Sequence, residues 1–211
     1  MKTKIVFIAD RSGSMFSMKD DAIGGFNSFI DEQKRVEGQA DFTLVLFDDQ
    51  YEVAYQSKDI EDVENLNEET FVPRGSTALL DAIGKTIALV TEEINATDEE
   101  QKPDQVIFCI LTDGEENASR EYKKDKIKEL IEQKQNDEDW VFLFLAANVD
   151  AFAEAGSMGL NSNVVLRNGT TIKTCDSYAA DGNGIRAAYG MFAQSVSDIR
   201  NCKDGMIDKQ E

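Results

Sequence analysis

Asp10, Ser12 and Ser14 stand at positions i, i+2 and i+4. In an extended segment alternate side chains share a side, so these three oxygen-bearing groups can face one point. Gly13 removes a Cβ where the chain must bend into a following helix. Much further along, Thr77 follows Gly75-Ser76 near a helix start, and Asp113 follows an apolar run in Thr112-Asp113-Gly114. Together the five residues offer two carboxylates and three hydroxyls, with no nitrogen or sulfur donor. Such an all-oxygen set of small ligands suits Mg²⁺, Mn²⁺ or Ca²⁺, not zinc or copper. Two carboxylates neutralise one divalent ion. Mg²⁺ takes about six oxygens, so water or an outside carboxylate must complete the shell. Neutral hydroxyl ligands leave the ion electrophilic toward an incoming anion.

These residues need strand ends and helix starts to hold them. Residues 4–9 and 106–111 are apolar runs bounded by polar turn residues, which reads as strands buried on both faces. Residues 141–145 read as a third. Ala22, Phe26, Phe29, Ile30 and Gln33 keep helical spacing, and Gly38 marks that helix's end. Residues 42–47 and 51–55 form two strands about the turn Asp48-Asp49-Gln50, so a hairpin adds an antiparallel edge. A short helix and loop are expected over 58–73, then a helix over 78–94. Further helices are expected at 119–135, 149–158 and 177–199, with a last short strand at 163–166. Buried parallel strands alternating with amphipathic helices mean an α/β, doubly wound, mostly parallel sheet with helices on both faces. The ligand crevice of such a sheet lies beyond the carboxyl ends of its strands. Residues 1–200 read as one domain and 201–211 as a polar tail.

Composition excludes several functions. The chain of 211 residues has 22 basic and 41 acidic side chains, a formal charge of −19, and no histidine. So negative a surface repels phosphate backbones and argues against nucleic acid. Without histidine there is no imidazole base, no Ser-His-Asp triad and no His-ligated zinc. The apolar run from Trp140 to Ala147 is far short of the roughly 20 residues of a membrane span. The run from Ile5 to Ala9 is too short for a secretory h-region of roughly 7–15 residues. Cys109, Cys175 and Cys202 are odd in number, widely spaced and without a C-x-x-C, which fits a reducing, cytoplasmic setting.

The pattern Asp-x-Ser-x-Ser after a first buried strand, a Gly-Ser-Thr loop and a later Thr-Asp-Gly resembles the von Willebrand factor type A (vWA) family. The resemblance runs from Lys4 to about Ile199 in element order as well as motif. It implies a six-stranded sheet with one antiparallel edge strand. It maps the family's metal-ion-dependent adhesion site onto Asp10, Ser12, Ser14, Thr77 and Asp113. It further implies a stand-alone bacterial or phage module that binds a protein partner, whose Asp or Glu completes the coordination of a Mg²⁺-type ion. Similar bacterial proteins act as adaptors, for instance with AAA+ ATPases or in tellurite-resistance clusters. Arg11 departs from the family's pattern at the x position; a cation there can stack near the metal, weaken its hold, or pair with Glu115.

Other motifs read as structure. Ser76 can cap the following helix. Gly84-Lys85-Thr86 is no P-loop, since the first glycine it needs is Leu79. Glu115 and Glu116 read as a solvated acidic loop. Asp181-Gly182-Asn183-Gly184 lacks a calcium loop's bidentate Glu and reads as a turn or helix start. Met15 and Met18 read as helix packing. The alternative function is a metal-dependent phosphoesterase using the ion as a Lewis acid. No nucleophile or general base with an activating partner supports it in the sequence, so the reading is a binding module and not an enzyme.

Overall fold

The computed structural model describes residues 1–147 and 150–202. Its main sheet has six strands in the order β3-β2-β1-β4-β5-β8. These are β1 (Lys2–Asp10), β2 (Gln39–Phe47), β3 (Tyr51–Asp59), β4 (Gln105–Thr112), β5 (Val141–Ala147) and β8 (Cys175–Tyr178). All neighbours pair in parallel except β2 with β3. The antiparallel edge follows from the short turn at Asp48, whose carboxylate accepts from the Gln50 N–H at 2.6 Å. The helices are α1 (Lys19–Arg35), α2 (Leu79–Ala96), α3 (Lys124–Asp137), α4 (Ala151–Ser157) and α5 (Gly182–Asn201).

Side-chain alternation along the strands divides the core in two. Ile5, Phe7 and Ala9 of β1 join one apolar layer with Ile107, Cys109 and Leu111 of β4, under α1 and α5. Val6 and Ile8 join the other with Phe108 and Ile110, under α2, α3 and α4. Burial on both faces is why these strands read as continuous apolar runs. Phe7 anchors the first layer, with ring centroids 5.3 Å from Phe29, 5.4 Å from Phe192 and 5.6 Å from Tyr189.

Strand order positions the chemistry. From β1 the chain builds outward through β2 and β3, then returns to the other side of β1 with β4. The crevice of a doubly wound sheet opens at such a reversal. Ala9 lies beside Leu111 in the parallel register, so Asp10 and Asp113 emerge at adjacent strand ends.

Several expectations need correction. Residues 119–123 are not helical, and α3 begins at Lys124. Residues 163–165 form β6, which pairs with β7 (Thr171–Lys173) in a separate hairpin, not in the main sheet. The sixth sheet strand is β8, for which no strand was expected. Residues 58–73 hold a three-residue 3-10 turn at Ile60–Asp62, and β3 runs on to Asp59. Helix α1 stops at Arg35, ahead of Gly38, whose φ of 102° turns the chain into β2. Met15 and Met18 are buried in a 3-10 turn that leads into α1, as packing residues. Val149 and residues 203–211 of the expected tail lie outside the described residues, and Asn201 closes α5. No helix among the described residues is long and apolar enough to cross a membrane.

Gly25 lets α1 and α5 meet: a Cβ on it would sit 2.4 Å from Cδ2 of buried Tyr189. Overpacking of this kind costs about 1–3 kcal/mol, against the roughly 1 kcal/mol that alanine gains over glycine within a helix. Gly25→Ala is therefore expected to lower the urea midpoint with the m-value unchanged. A raised midpoint would show that Tyr189 moves aside at no cost.

Candidate metal centre

Asp10 ends β1 and is fully buried. Its carboxylate accepts from the Ser12 N–H at 2.7 Å and from the Thr112 hydroxyl at 2.6 Å. The first bond is the local turn that two-residue spacing allows; the second comes from the neighbouring strand. The Ser12 and Ser14 hydroxyls lie 3.0 Å apart, and Ser14 donates to Asp113 Oδ1 at 2.7 Å. A Cβ on Gly114 would lie 3.3 Å from Thr77 Oγ1 and 3.8 Å from Ser14 Oγ, so both hydroxyls flank the same glycine. The structure thus brings together all five residues singled out in the sequence. Ser12, Thr77 and Asp113 are buried, whereas Ser14 is exposed and opens the cluster to solvent on one side.

The electrostatics of the cluster ask for a cation. Burial raises the Asp10 pKa to about 6; hydrogen bonds from Thr112 and Ser12 oppose it, and the charge of Asp113 adds to it. Burial raises Asp113 as well, opposed by the Ser14 and Ser12 hydroxyls. Among the described residues no basic side chain is found among the groups acting on either acid. Two desolvated carboxylates with only neutral donors would each be stabilised by a nearby positive charge. Among the described residues no three Asp, Glu or Cys side chains gather to hold an ion. Any ion here would therefore draw on the hydroxyls, and the donor set fits a hard divalent cation.

The loops that present these groups are themselves clamped. Thr77 donates its N–H to Asn117 Oδ1 at 3.0 Å, and its carbonyl accepts from the Asn117 and Ala118 N–H groups. Gly13 donates its N–H to the Gly75 carbonyl at 3.2 Å, joining the first loop to the second. Gly75 has φ of 65°, where a side chain is strained, and a Cβ there would also have to displace the Asp49 carboxylate. Ser76 is exposed and does not cap α2. Glu116 takes that role: its carboxylate accepts from the N–H groups of Leu80, Ala118 and Ser119. It is a structural clamp, while Glu115 is exposed as expected. Gly84-Lys85-Thr86 lies within α2, and Asp181 caps α5 through Gly184.

Arg11 does not pair with Glu115. Pointing away from Asp10 and Ser12, its Nε meets buried Asp48 at 3.1 Å and its Nη1 meets Glu52 at 2.7 Å. Arg74 Nε reaches the same Asp48 oxygen at 2.7 Å. Burial alone would raise the Asp48 pKa, but Arg74, the Gln50 N–H and Arg11 outweigh it and the net shift is downward. Asp81 and Tyr178 are passed over in the sequence, Asp48 is read there only as a turn residue, and Glu116 as part of a solvated loop. Tyr178 on β8 donates to the Thr112 carbonyl at 2.9 Å, which fixes the strand end beside Asp10. Asp81 and Tyr178 carry no local signal, because their partners are distant in the chain, whereas Glu116 has near partners in Ala118 and Ser119 as well as Leu80 across the fold.

No protein-family model and no curated protein matches the sequence. Solved structures do match. Proximal thread matrix protein 1 from the mussel byssus, described with a zinc-occupied MIDAS motif, superposes with a TM-score of 0.58 at 14% identity, over 92% of this chain and 46% of its own. Manganese-loaded TRAP protein from Plasmodium vivax gives 0.57 at 15% identity, over 89% of this chain and 71% of its own. The von Willebrand factor type A structure from Catenulispora acidiphila gives 0.56 at 14% identity, over 92% and 42%. The chain spans about half the length of the mussel protein. At such identities the likeness is one of fold.

Asp81, in the first turn of α2, accepts from the N–H groups of Arg120, Glu121 and Tyr122 at 2.8–2.9 Å. Burial would raise its pKa; these three donors and Lys85 outweigh that and lower it. A depressed folded pKa gives stability that is present above the unfolded value, about 3.9, and lost as pH falls through the folded one. Asp81→Asn is expected to cost about 1–3 kcal/mol at pH 7, with the gap from wild type narrowing at pH 3, as read by urea unfolding. A gap independent of pH would contradict the assignment.

Proposed function

The chain has the von Willebrand factor type A (vWA) fold, and from that premise we propose that it is a divalent-ion-dependent protein-binding module. Asp10, Ser12, Ser14, Thr77 and Asp113 are the side chains that would hold the ion. A bound divalent ion supplies positive charge and a coordination position for a carboxylate oxygen of a protein partner. The chain's own groups do the rest. Thr112 and the Ser12 N–H fix the Asp10 carboxylate, Asn117 fixes Thr77, and exposed Ser14 marks the side from which a partner's Asp or Glu approaches.

The observation that carries the reading is the continuous run of hydrogen-bonded oxygens from Ser12 through Ser14 to Asp113, beside a second buried acid and, among the described residues, without a basic partner. Manganese in the Plasmodium protein and zinc in the mussel protein support a divalent cation as the class. Oxygen donors favour Mg²⁺, Mn²⁺ or Ca²⁺, but the mussel zinc argues against excluding that ion. The net charge of −19 turns the reading away from nucleic acid. Buried thiols at Cys109 and Cys175 support a reducing, cytoplasmic setting. Binding is favoured over hydrolysis because the phenol beside the acids, Tyr178, is buried, has its pKa pushed up and donates to a backbone carbonyl. It is no base for water.

Melting curves of wild type and Asp113→Ala in MgCl₂ and in EDTA test this. An ion at 100 times its dissociation constant stabilises by about 2.7 kcal/mol. Wild type is expected to melt higher in Mg²⁺ than in EDTA, and Asp113→Ala equally in both. An undiminished Mg²⁺ shift in the variant would refute the site. Asp113-dependent hydrolysis of p-nitrophenyl phosphate would replace the binding module with an enzyme.

A further inference from the structure

Helices α2 and α3 lie side by side with a groove of about 730 Å³ between them, on the face of the sheet away from α1 and α5. Its walls are two helical stripes. Gly84, Ala88, Thr91 and Asn95 of α2 stand at i, i+4, i+7 and i+11, and Lys126, Leu130 and Gln133 of α3 at i, i+4 and i+7. Buried Ile87 and half-buried Leu130 give the groove an apolar floor. From Gly84 to Ala96 the α2 wall runs for about 18 Å, a little over three turns of helix.

Backbone chemistry and charge decide what fits. The N–H and C=O groups along both walls are used within their own helices. An extended peptide would find no ladder there for its backbone, whereas a helix arrives with its backbone bonds already made. Ala88 and Ala96 are exposed and small, so they let a helix come close. The positive charges of the walls are already met, Lys126 by Glu129 at 3.0 Å and Lys134 by Glu138 and the face of the Trp140 ring. Around the groove Lys85 pairs with Glu121, Lys124 with Glu154 and Lys128 with Glu132, while exposed Lys123 and Asp125 balance each other. Glu92 is left over: it lines the groove, is exposed, and makes no ion pair among the described residues. With a net charge of −19 on the whole chain, the groove attracts a cationic segment and repels an acidic one or a second copy.

We propose that this groove binds a cationic amphipathic helix of a protein partner. The helix lays its apolar stripe between α2 and α3 over about three turns and sets a lysine or arginine against Glu92. This site does not depend on the ion-binding reading, and it is tested without the ion.

The test follows ¹⁵N NMR amide signals of the full chain in EDTA as a capped synthetic peptide is added, two repeats of Leu-Lys-Lys-Leu-Leu-Lys-Leu, which is amphipathic as a helix. Two controls of the same length run in parallel: strictly alternating Leu-Lys, amphipathic only as a strand, and the helical peptide with every Lys replaced by Glu. The cationic helix is expected to shift the amides of Ala88, Thr91, Ala96, Lys126, Leu130 and Gln133 saturably, and the controls are not. Ala88→Arg, which puts bulk and like charge into the groove from an exposed position, should weaken that binding roughly tenfold. Glu92→Gln should weaken it roughly threefold. No saturable shift at those amides, shifts centred instead on the acidic stretch 59–69, an equal response to either control, or unchanged affinity in both variants would each overturn the proposal. Shifts of the same amides on raising the concentration of the free chain would give the groove to a second copy and overturn it too. With EDTA present, none of these results bears on the Mg²⁺ stabilisation described above.

Discussion

Two carboxylates held out of water at neighbouring strand ends, Asp10 and Asp113, dominate the electrostatics of the upper end of this sheet. Desolvation pushes both toward their neutral forms, and each raises the cost of ionising the other. Hydroxyls and an N–H group offset part of that cost. They do not remove it, since the pKa of Asp10 stays near 6. A carboxylic acid placed so is poor packing material for a core. The proposed divalent cation would give it a reason, because one ion could satisfy both acids and draw on the weak donors around them.

The remainder of this end of the molecule keeps those acids in register. The reversal of strand order at β1 and β4 sets them side by side. Buried ionic and hydrogen-bonded posts then hold each loop. Asp48 ties Arg11 and Arg74 to the hairpin turn, Asp81 gathers the backbone before α3, and Glu116 caps α2. A site built on such supports loses little entropy when an ion binds. The same clamp orients Arg11 toward the hairpin edge, onto Asp48 and Glu52.

Much of this was legible in the residue order because it is local. The strands β1, β4 and β5 announce themselves as unbroken apolar runs. Asp10, Ser12 and Ser14 stand out by their spacing, and Thr77 and Asp113 by their places near a helix start and a strand end; that they hold an ion is the proposal. What escaped has distant causes. Strand β8 is four residues, Cys-Asp-Ser-Tyr, half of them polar, and it exists because β5 offers it an edge. Residues 120–122 have the composition of a helix, yet Asp81 claims their N–H groups from across the fold. The hairpin β6–β7 turns at Asn168-Gly169, a turn pair visible in the sequence, but only the first of its two short strands is expected from the residues. The partner of Arg11 depended on which side of β1 its side chain takes, and the nearby Glu115 was a misleading neighbour.

The most direct test of the central claim is anomalous X-ray diffraction from crystals grown with MnCl₂. A single Mn²⁺ peak is expected within coordinating distance, about 2.0–2.6 Å, of oxygens drawn from Asp10, Ser12, Ser14, Thr77 and Asp113, directly or through bound water. A crystal saturated with Mn²⁺ that shows no peak there, or shows the ion held by other carboxylates, would contradict it.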